Sequence, residues 1–535
     1  VKRINFKTRS NMAWLRTTIA AASSSVLTSR KEQRRNKKET NDTTSTFTKV
    51  SRHILGNNNY THHDNNEKPK YGRMLPRLTR LSFVVGLVLL FLGIVAVCLQ
   101  PKNNYRRNAG YRTEPPPDLH VAGRRDSYTP VPPNKRKHFY ISEKSSFRTV
   151  VIRAFRNQGW RKAMKPEDAQ FVYTKKVNLD FFNDGLEPYQ RYNYSPGFGH
   201  WDSKARFAKH FMEWKGTNPT KTFYLPVTYR LESEEDRKEL QELLLNGGGM
   251  TRPWVVKAPD VNNGAGVQMM GPNSPELREL AQSTLLEEEE EIVQAYICNE
   301  LPWRHNQKFD LRFYWMIASM DPLIILYHDG YVRVGNAEYN ENDWSSTTQH
   351  LTTHTYLAEE DKGTITELES WLQEYYDANK SRLSKIMGDI RDPVVHVRNQ
   401  LKEMVAQTAD CFKEHTFGAM HAGNTLNSEN GYAIYGFDSI LDRDLDAWYI
   451  EAQAGPGMEE EFDFRVEMHR DLLRTMIAIV EEIQTKQETD AKANLLPLES
   501  LGGWEIVYAD GWMYEYEGYK RVPQQEKASC GAKEQ

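Results

Sequence analysis

The stretch Gly436–Gly457, GFDSILDRDLDAWYIEAQAGPG, decides how the rest of the chain is read. Two short apolar runs flank a polar, acid-rich turn, which is the pattern of a β-hairpin. Each run holds a carboxylate where a buried strand should not tolerate one, Asp438 in the first and Glu451 in the second. With strands over about Tyr432–Leu441 and Trp448–Gln453, a symmetric hairpin sets Asp438 opposite Glu451 and Gly436 opposite Gln453. Directly opposed residues share a face, with Cβ atoms about 4.5–5.5 Å apart. Like charges so placed destabilise a sheet unless a cation lies between them, and such oxygen donors suit Mg2+ shared with phosphate. A solvated acidic hairpin explains the same residues equally well.

Upstream, KFDLRFYWMIAS (Lys308–Ser319) alternates strictly. One face carries Lys308, Asp310, Arg312 and Tyr314, and the other Phe309, Leu311, Phe313 and Trp315. Such a strand either lines a cleft with cations for phosphate and carboxylate or is a plain amphipathic edge strand with an ion pair. In PWVVKAPDVNNGAGVQMM (Pro253–Met270) a strand ends on Lys257 and runs into a loop with Gly264 and Gly266. Glycines let backbone N–H groups approach a phosphate, yet a glycine turn accounts for the loop as well, and the P-loop pattern is absent. EEEEEIVQAYI joins an acidic run, most simply a solvated face, to an apolar strand. Strands and helices interleave without regular βαβ spacing, which predicts an α+β fold with mainly antiparallel sheets. Among the helices, Val394, Val397, Leu401, Met404, Val405 and Phe412 form one stripe.

The order of these pieces resembles the tubulin-tyrosine ligase family of ATP-grasp ligases. A lysine strand with a glycine loop is followed by VQAYI, KFDLR, and GFD with an acid thirteen residues later. The segments YQRYNYSPGFGHWDSKARFAKHF, FYLPVTYRLESEEDRKELQELL and HLTT (His350–Thr353) resemble further motifs of that family. The resemblance spans roughly Arg148 to Val480 and implies an ATP-grasp fold. By resemblance, Lys204, Lys257 and Lys308 contact nucleotide phosphates, with Asp310, Gly264 and Gly266 in the same nucleotide site. Gln294, Ala295, Tyr296 and Ile297 form a hinge strand against adenine. Arg312 and Arg333 hold the reacting carboxylate or the incoming amino acid, and Asp438, Glu451 and Gln453 bind Mg2+. The implied reaction uses ATP to activate a carboxylate of a protein tail, tubulin by default, as an acyl phosphate that a free amino acid then attacks. Three residues depart from the family pattern: Gln453 for an Asn, Thr353 for an Asn, and Ala265 for a basic residue. They motivate a second reading, a catalytically weak or inactive binding protein of the same fold.

The 535 residues are close to neutral, with Lys+Arg 70 against Asp+Glu 72, and give no reason to expect a nucleic-acid partner. Cys98, Cys298, Cys411 and Cys530 show no metal or disulfide spacing and read as buried or incidental thiols. Residues 1–80 are basic, polar and expected to be disordered. Residues 81–99, LSFVVGLVLLFLGIVAVCL, lack any charge and predict a single membrane-spanning helix. The flanking charges leave open which side the catalytic region occupies: cytosolic for tubulin, luminal for another protein substrate. A Pro-rich basic linker follows at 100–137, then the globular region at 138–519, and a flexible tail at 520–535. The globular region divides into an N-terminal part of about 138–250 and an ATP-grasp core of about 251–485. Asn59 and Asn193 head Asn-X-Ser/Thr triplets, the pattern of a glycosylation acceptor.

Overall fold

The structure is a computed structural model. It describes residues 114–123, 125–142, 148–174, 177–195, 203–259, 266–282, 291–344, 349–352, 363–413, 430–458, 463–519 and 521. The region 1–80, the span at 81–99 and almost all of the 520–535 tail lie outside these residues.

The first part builds a four-stranded sheet from β1 (His138–Ile141), β2 (Arg161–Lys162), β3 (Phe171–Tyr173) and β4 (Arg191–Tyr192). Its order is β2-β1-β3-β4 and all its pairs are parallel, the exception in a fold whose other two sheets are antiparallel, as mainly expected. Parallel neighbours need long crossovers, and helix α1 (Arg148–Arg156) supplies one between β1 and β2. Val150, Val151, Ala154 and Phe155 form its buried stripe, and Phe155 stacks on Phe139 with ring centroids 4.4 Å apart. Helix α2 (Lys204–Thr217) follows, burying Phe207, Ala208, Phe211 and Trp214 at helical spacing.

A second sheet is antiparallel. Its strands are β5 (Thr228–Arg230), β6 (Trp254–Lys257), β7 (Val267–Met270) and β8 (Ile292–Ala295), in the order β5-β8-β6-β7. Helices α3 (Glu234–Leu245) and α4 (Pro275–Gln282) cover it, joining Leu240, Leu244, Leu277 and Leu280 to Trp254, Val256 and Val293. The Ser233 side chain caps α3 by accepting from the Asp236 N–H. This sheet draws its edge strand β5 from before residue 251 and the other three from after it.

The third sheet is the centre of the molecule described. The long hairpin β9 (Gln307–Met320) and β10 (Leu323–Glu338) is joined by β11 (Ala433–Leu441), β12 (Ala447–Ala454), β13 (Glu505–Ala509) and β14 (Trp512–Met513). The order is β12-β11-β9-β10-β13-β14, with every pair antiparallel. KFDLRFYWMIAS is therefore a central strand with neighbours on both sides, and the edge-strand reading fails. Its odd-numbered residues, Phe309 to Ile317, enter one core with α2, α5 (Ile365–Ala378) and α7 (Pro393–Phe412). Its even-numbered Tyr314, Met316 and Ala318 enter a second core with α1 and α8 (Asp463–Thr489). The expected stripe on α7 is buried except for the partly buried Val394, but so are His396, Asn399, Gln400, Glu403, Gln407 and Thr408 on its other faces. The short α6 (Lys380–Ile386) links α5 to α7.

Packing begins before residue 138. Val121, Tyr128 and Val131 of the expected linker are buried, and the Val121 N–H donates to Asn494 Oδ1 at 3.0 Å. Cys411 is a buried thiol whose Sγ donates to the His210 carbonyl oxygen, as the reading of buried or incidental thiols allows, whereas Cys298 is disulfide-bonded, against it. The Asn193 side-chain amide is engaged with the backbone of Thr174 on both its oxygen and its nitrogen.

The expected membrane placement needs correction. Among the described residues no helix is long and apolar enough to cross a membrane. Helix α8 has the length, but Arg465, Glu467, Arg470, Asp471 and Arg474 charge its course. The single-pass localisation and the membrane as a partner are accordingly withdrawn.

Candidate active site

A cleft of about 820 Å3, counting its open mouth, lies between the second sheet and the central one. Val255 of β6, Val267 and Met269 of β7, Leu351, Ile440 of β11 and Ile450 of β12 supply apolar walls, which suit a flat aromatic group. Gln294, Ala295, Tyr296 and Ile297, at the end of β8 and just beyond, run along one side.

Four cations and four carboxylates line the cleft: Lys204, Lys257, Lys308 and Arg333 against Glu300, Asp310, Asp438 and Glu451. Strand alternation puts them there. Arg333 on β10 is directly opposite Asp310 on β9, and Asp438 on β11 is opposite both Arg312 on β9 and Glu451 on β12. Arg333 bridges two acids, with Nε 2.6 Å from Asp310 and Nη2 2.7 Å from Asp438. Lys308 donates to Glu300 at 2.7 Å and to the Tyr296 hydroxyl at 3.1 Å. Lys204 lies 3.3 Å from Glu451. Lys257 is different: its ammonium donates to the neutral amide oxygen of Gln294 at 2.6 Å.

Burial sets the protonation of these groups. It lowers Lys257 to about 8, assisted by Lys204 and Lys308 and opposed by Glu451. It raises Glu300, and it raises Asp310 despite Arg333. Burial also pushes Asp438 upward, but Arg312 and Arg333 together outweigh it and hold Asp438 below the usual carboxylate range. Two acids from adjacent strands thus carry opposite shifts, because one has two guanidinium partners and the other has one.

The hairpin pairs as the sequence predicts up to its acids. Gly436 opposes Gln453 and Asp438 opposes Glu451, after which a bulge shifts the register by one residue. The donor chemistry of Asp438 and Glu451 suits Mg2+, since both are carboxylates facing the cleft. Gln453 does not fit the same role. Its Oε1 accepts from Arg312 Nη2 at 2.9 Å, its Nε2 donates to Glu451 at 2.6 Å, and it does not line the cleft. Among the described residues no group of three or more His, Cys, Asp or Glu is placed to hold a metal. Arg312 also stands behind the cleft wall, 4% exposed and forked onto Asp438. The structure therefore brings Lys204, Lys257, Lys308, Asp310, Arg333, Asp438, Glu451 and residues 294–297 together, with Arg312 and Gln453 one layer back. Gly266 is described, at φ +80°, but is not among the lining residues. Gly264, Ala265 and Thr353 lie outside the described residues.

Sequence reasoning missed three polar groups here. Glu300 follows the hinge strand in a stretch without pattern. Thr352, inside HLTT, donates its hydroxyl to Asp310. His350 accepts from or donates to the Tyr296 hydroxyl at 2.9 Å and stacks on Trp344. HLTT was the available signal for the last two; Glu300 had none.

The model of the tubulin-tyrosine ligase family matches residues 183–490. Tubulin polyglutamylase TTLL7 of Mus musculus is 29% identical over 300 residues, 52% of this chain and 30% of its own length. Tubulin polyglutamylase TTLL5 of Mus musculus is 24% identical over 329 residues, 58% of this chain and 23% of its own. Tubulin glycylase 3F of Tetrahymena thermophila is 21% identical over 239 residues, 42% of this chain and 24% of its own. The matches span less than a third of the length of each of these relatives.

Proposed function

This chain belongs to the tubulin-tyrosine ligase family, and from that premise we propose that it is an ATP- and Mg2+-dependent ligase. It joins a free amino acid to a carboxylate of a protein tail, that of tubulin. The observation that carries this reading is the cleft itself. Apolar walls and a hinge strand flank one region, and Lys204, Lys257, Lys308 and Arg333 converge on the same space. That combination suits an aromatic base joined to a polyphosphate.

The chemistry balances simply. The acceptor carboxylate attacks the γ-phosphorus of ATP, ADP leaves, and an acyl phosphate forms. The amino acid's amine then attacks the acyl carbon, loses a proton and expels phosphate, leaving an amide bond. Mg2+ bound with the nucleotide would offset phosphate charge, with Asp438 and Glu451 as its protein ligands. Lys257 and Arg333 are placed to stabilise charge that builds on transferring oxygens. Relatives named as polyglutamylases and a glycylase make glutamate and glycine the first amino acids to try.

The test is ADP and phosphate release from ATP in the presence of a tubulin-tail peptide and each amino acid, with mass analysis of the peptide. Ligation appears as one residue mass added per ADP formed. Tight nucleotide binding without turnover on any tail would instead favour a non-catalytic member. Of the departures behind that second reading, only Gln453 lies among the described residues, and its amide is committed to Arg312.

A further inference from the structure

We propose that Gln453 is a positioning residue that ties Glu451 to Arg312, and that a divalent cation in this cleft is held by Asp438 and Glu451 without it. This rests on the Mg2+–nucleotide reading above.

The orientation of the Gln453 amide is fixed by its partners. A guanidinium can only donate, so Arg312 Nη2 must face the amide oxygen, at 2.9 Å. Glu451 Oε1 lies 2.6 Å from the amide nitrogen, and an ionised carboxylate can only accept. Rotating the amide to free its oxygen would set Nε2 against Arg312 and Oε1 against Glu451, two repulsive contacts. The oxygen that a metal would require is thus turned onto a buried guanidinium, on a side chain that does not line the cleft.

The path of the side chain explains why a glutamine stands here. Gln453 is on β12 and Arg312 on β9, with β11 between them. Neighbouring strands lie about 4.8 Å apart, so the Gln453 and Arg312 side chains together span roughly twice that distance. Arg312 reaches toward Gln453 over Gly436, the residue opposite Gln453 on β11, which has no side chain. A Cβ at Gly436 would lie 3.2 Å from Arg312 Cδ and 3.3 Å from its Nε, so Arg312 occupies the space that the glycine leaves. An asparagine would fall short by one methylene, roughly 1.5 Å, and would lose the Arg312 contact. The longer amide fits as an element of support: Arg312 holds Asp438 directly and Glu451 through Gln453, so both carboxylates are oriented by a single guanidinium.

Mn2+ in the presence of a non-hydrolysable ATP analogue provides the test, because its bound waters can be counted by electron–nuclear double resonance in H2O and D2O. Gln453→Met keeps the side-chain length without hydrogen bonds, and Gln453→Ala removes it. The expected result is an unchanged number of Mn2+-bound waters in both variants, with Mn2+ affinity weakened about tenfold through the loss of one charge-assisted hydrogen bond. Glu451→Ala, as a positive control, adds a bound water. One extra water in both Gln453 variants would make Gln453 a ligand and overturn the proposal. Unchanged Mn2+ affinity in both would overturn the positioning role. Failure of the unsubstituted protein to form any Mn2+–analogue complex would instead defeat the nucleotide reading on which the proposal stands.

Discussion

Lys257 should make nucleotide affinity depend on pH in a window where most lysines are silent. It closes β6 with its side chain buried at 7% exposure, and burial lowers it to about 8. Only the protonated form attracts a polyphosphate strongly, and the bound anion raises the lysine's pKa again. With a free-state value of about 8, the protonated fraction falls about tenfold between pH 7 and pH 9. The apparent Kd for an ATP analogue should therefore rise about tenfold, or ~1.4 kcal/mol, across that interval. The same shift acts oppositely on the ligand-free protein. The unfolded chain binds this proton more readily between about pH 8 and the ordinary lysine value of 10.5, so folding stability gains as pH rises through that window. Isothermal titration with a non-hydrolysable analogue from pH 7 to 9.5 reads the first effect, and Lys257→Met should flatten it. A Kd that does not change with pH would refute the argument. So would a Lys257→Met variant that keeps the full dependence, since another group would then be titrating.

Other consequences concern the scaffold beneath the cleft. Arg333→Met leaves Asp310 without its guanidinium and Asp438 with one in place of two, and should cost about 3–5 kcal/mol in urea unfolding, partly regained when Asp310→Asn is added. Gly330→Ala places a Cβ 2.0 Å from the Arg312 carbonyl oxygen, at the β10 bulge opposite Arg312. The strands must separate there, so this variant should lose several-fold in analogue affinity together with stability, whereas Gly388→Ala, with open space around it, should show only the strain of its positive φ. His469, on α8, is lowered to about 3 by burial, with Arg465 and Arg312 adding to the effect, and its Nε2 meets the Tyr314 hydroxyl at 2.8 Å. The unfolded chain protonates this ring near 6.5 while the folded one does not, so stability should fall by about 2 kcal/mol between pH 7.5 and pH 5, and His469→Gln should abolish that part of the acid sensitivity.

What the sequence made legible follows from the range over which each signal acts. The pairing of Gly436 and Asp438 with Gln453 and Glu451 was readable to the residue, because strand alternation fixes which residues share a face. The bulge after Asp438 was not, since it depends on how β11 meets β9. The charged face of KFDLRFYWMIAS was readable, but its burial was not. Whether a charged row faces water or a buried cleft is set by β10 and β11, and β11 lies more than a hundred residues away in sequence. The parallel first sheet escaped for a related reason: β2 and β4 have two residues each, too few to show any period. Family order found the cleft residues as a set. It could not say that Arg312 and Gln453 stand behind the wall, which is a matter of side-chain direction across three strands.

The charge arrangement links these observations. Placing eight ionised side chains around one cleft would be costly if they were unpaired, since a buried charge needs a partner of opposite sign. Three of the cations have one: Lys308 has Glu300, Arg333 has Asp310 and Asp438, and Lys204 has Glu451. The ligand-free fold is therefore electrically nearly complete, and an arriving anion must compete with carboxylates for those three. Lys257 is the exception among these lining cations, because its hydrogen-bond partner is the neutral Gln294. Burial lowers its pKa, and the charge of Glu451 opposes that only in part. An anion entering the cleft gains most at Lys257, where it displaces an amide rather than a carboxylate, and little at Lys308, whose acid stays beside it. If this ordering holds, Lys257→Met should weaken analogue binding more than Lys308→Met does at pH 7. The reverse order would mean that the Lys308–Glu300 pair opens on binding and that the ion pairs seen here are not those of the loaded site.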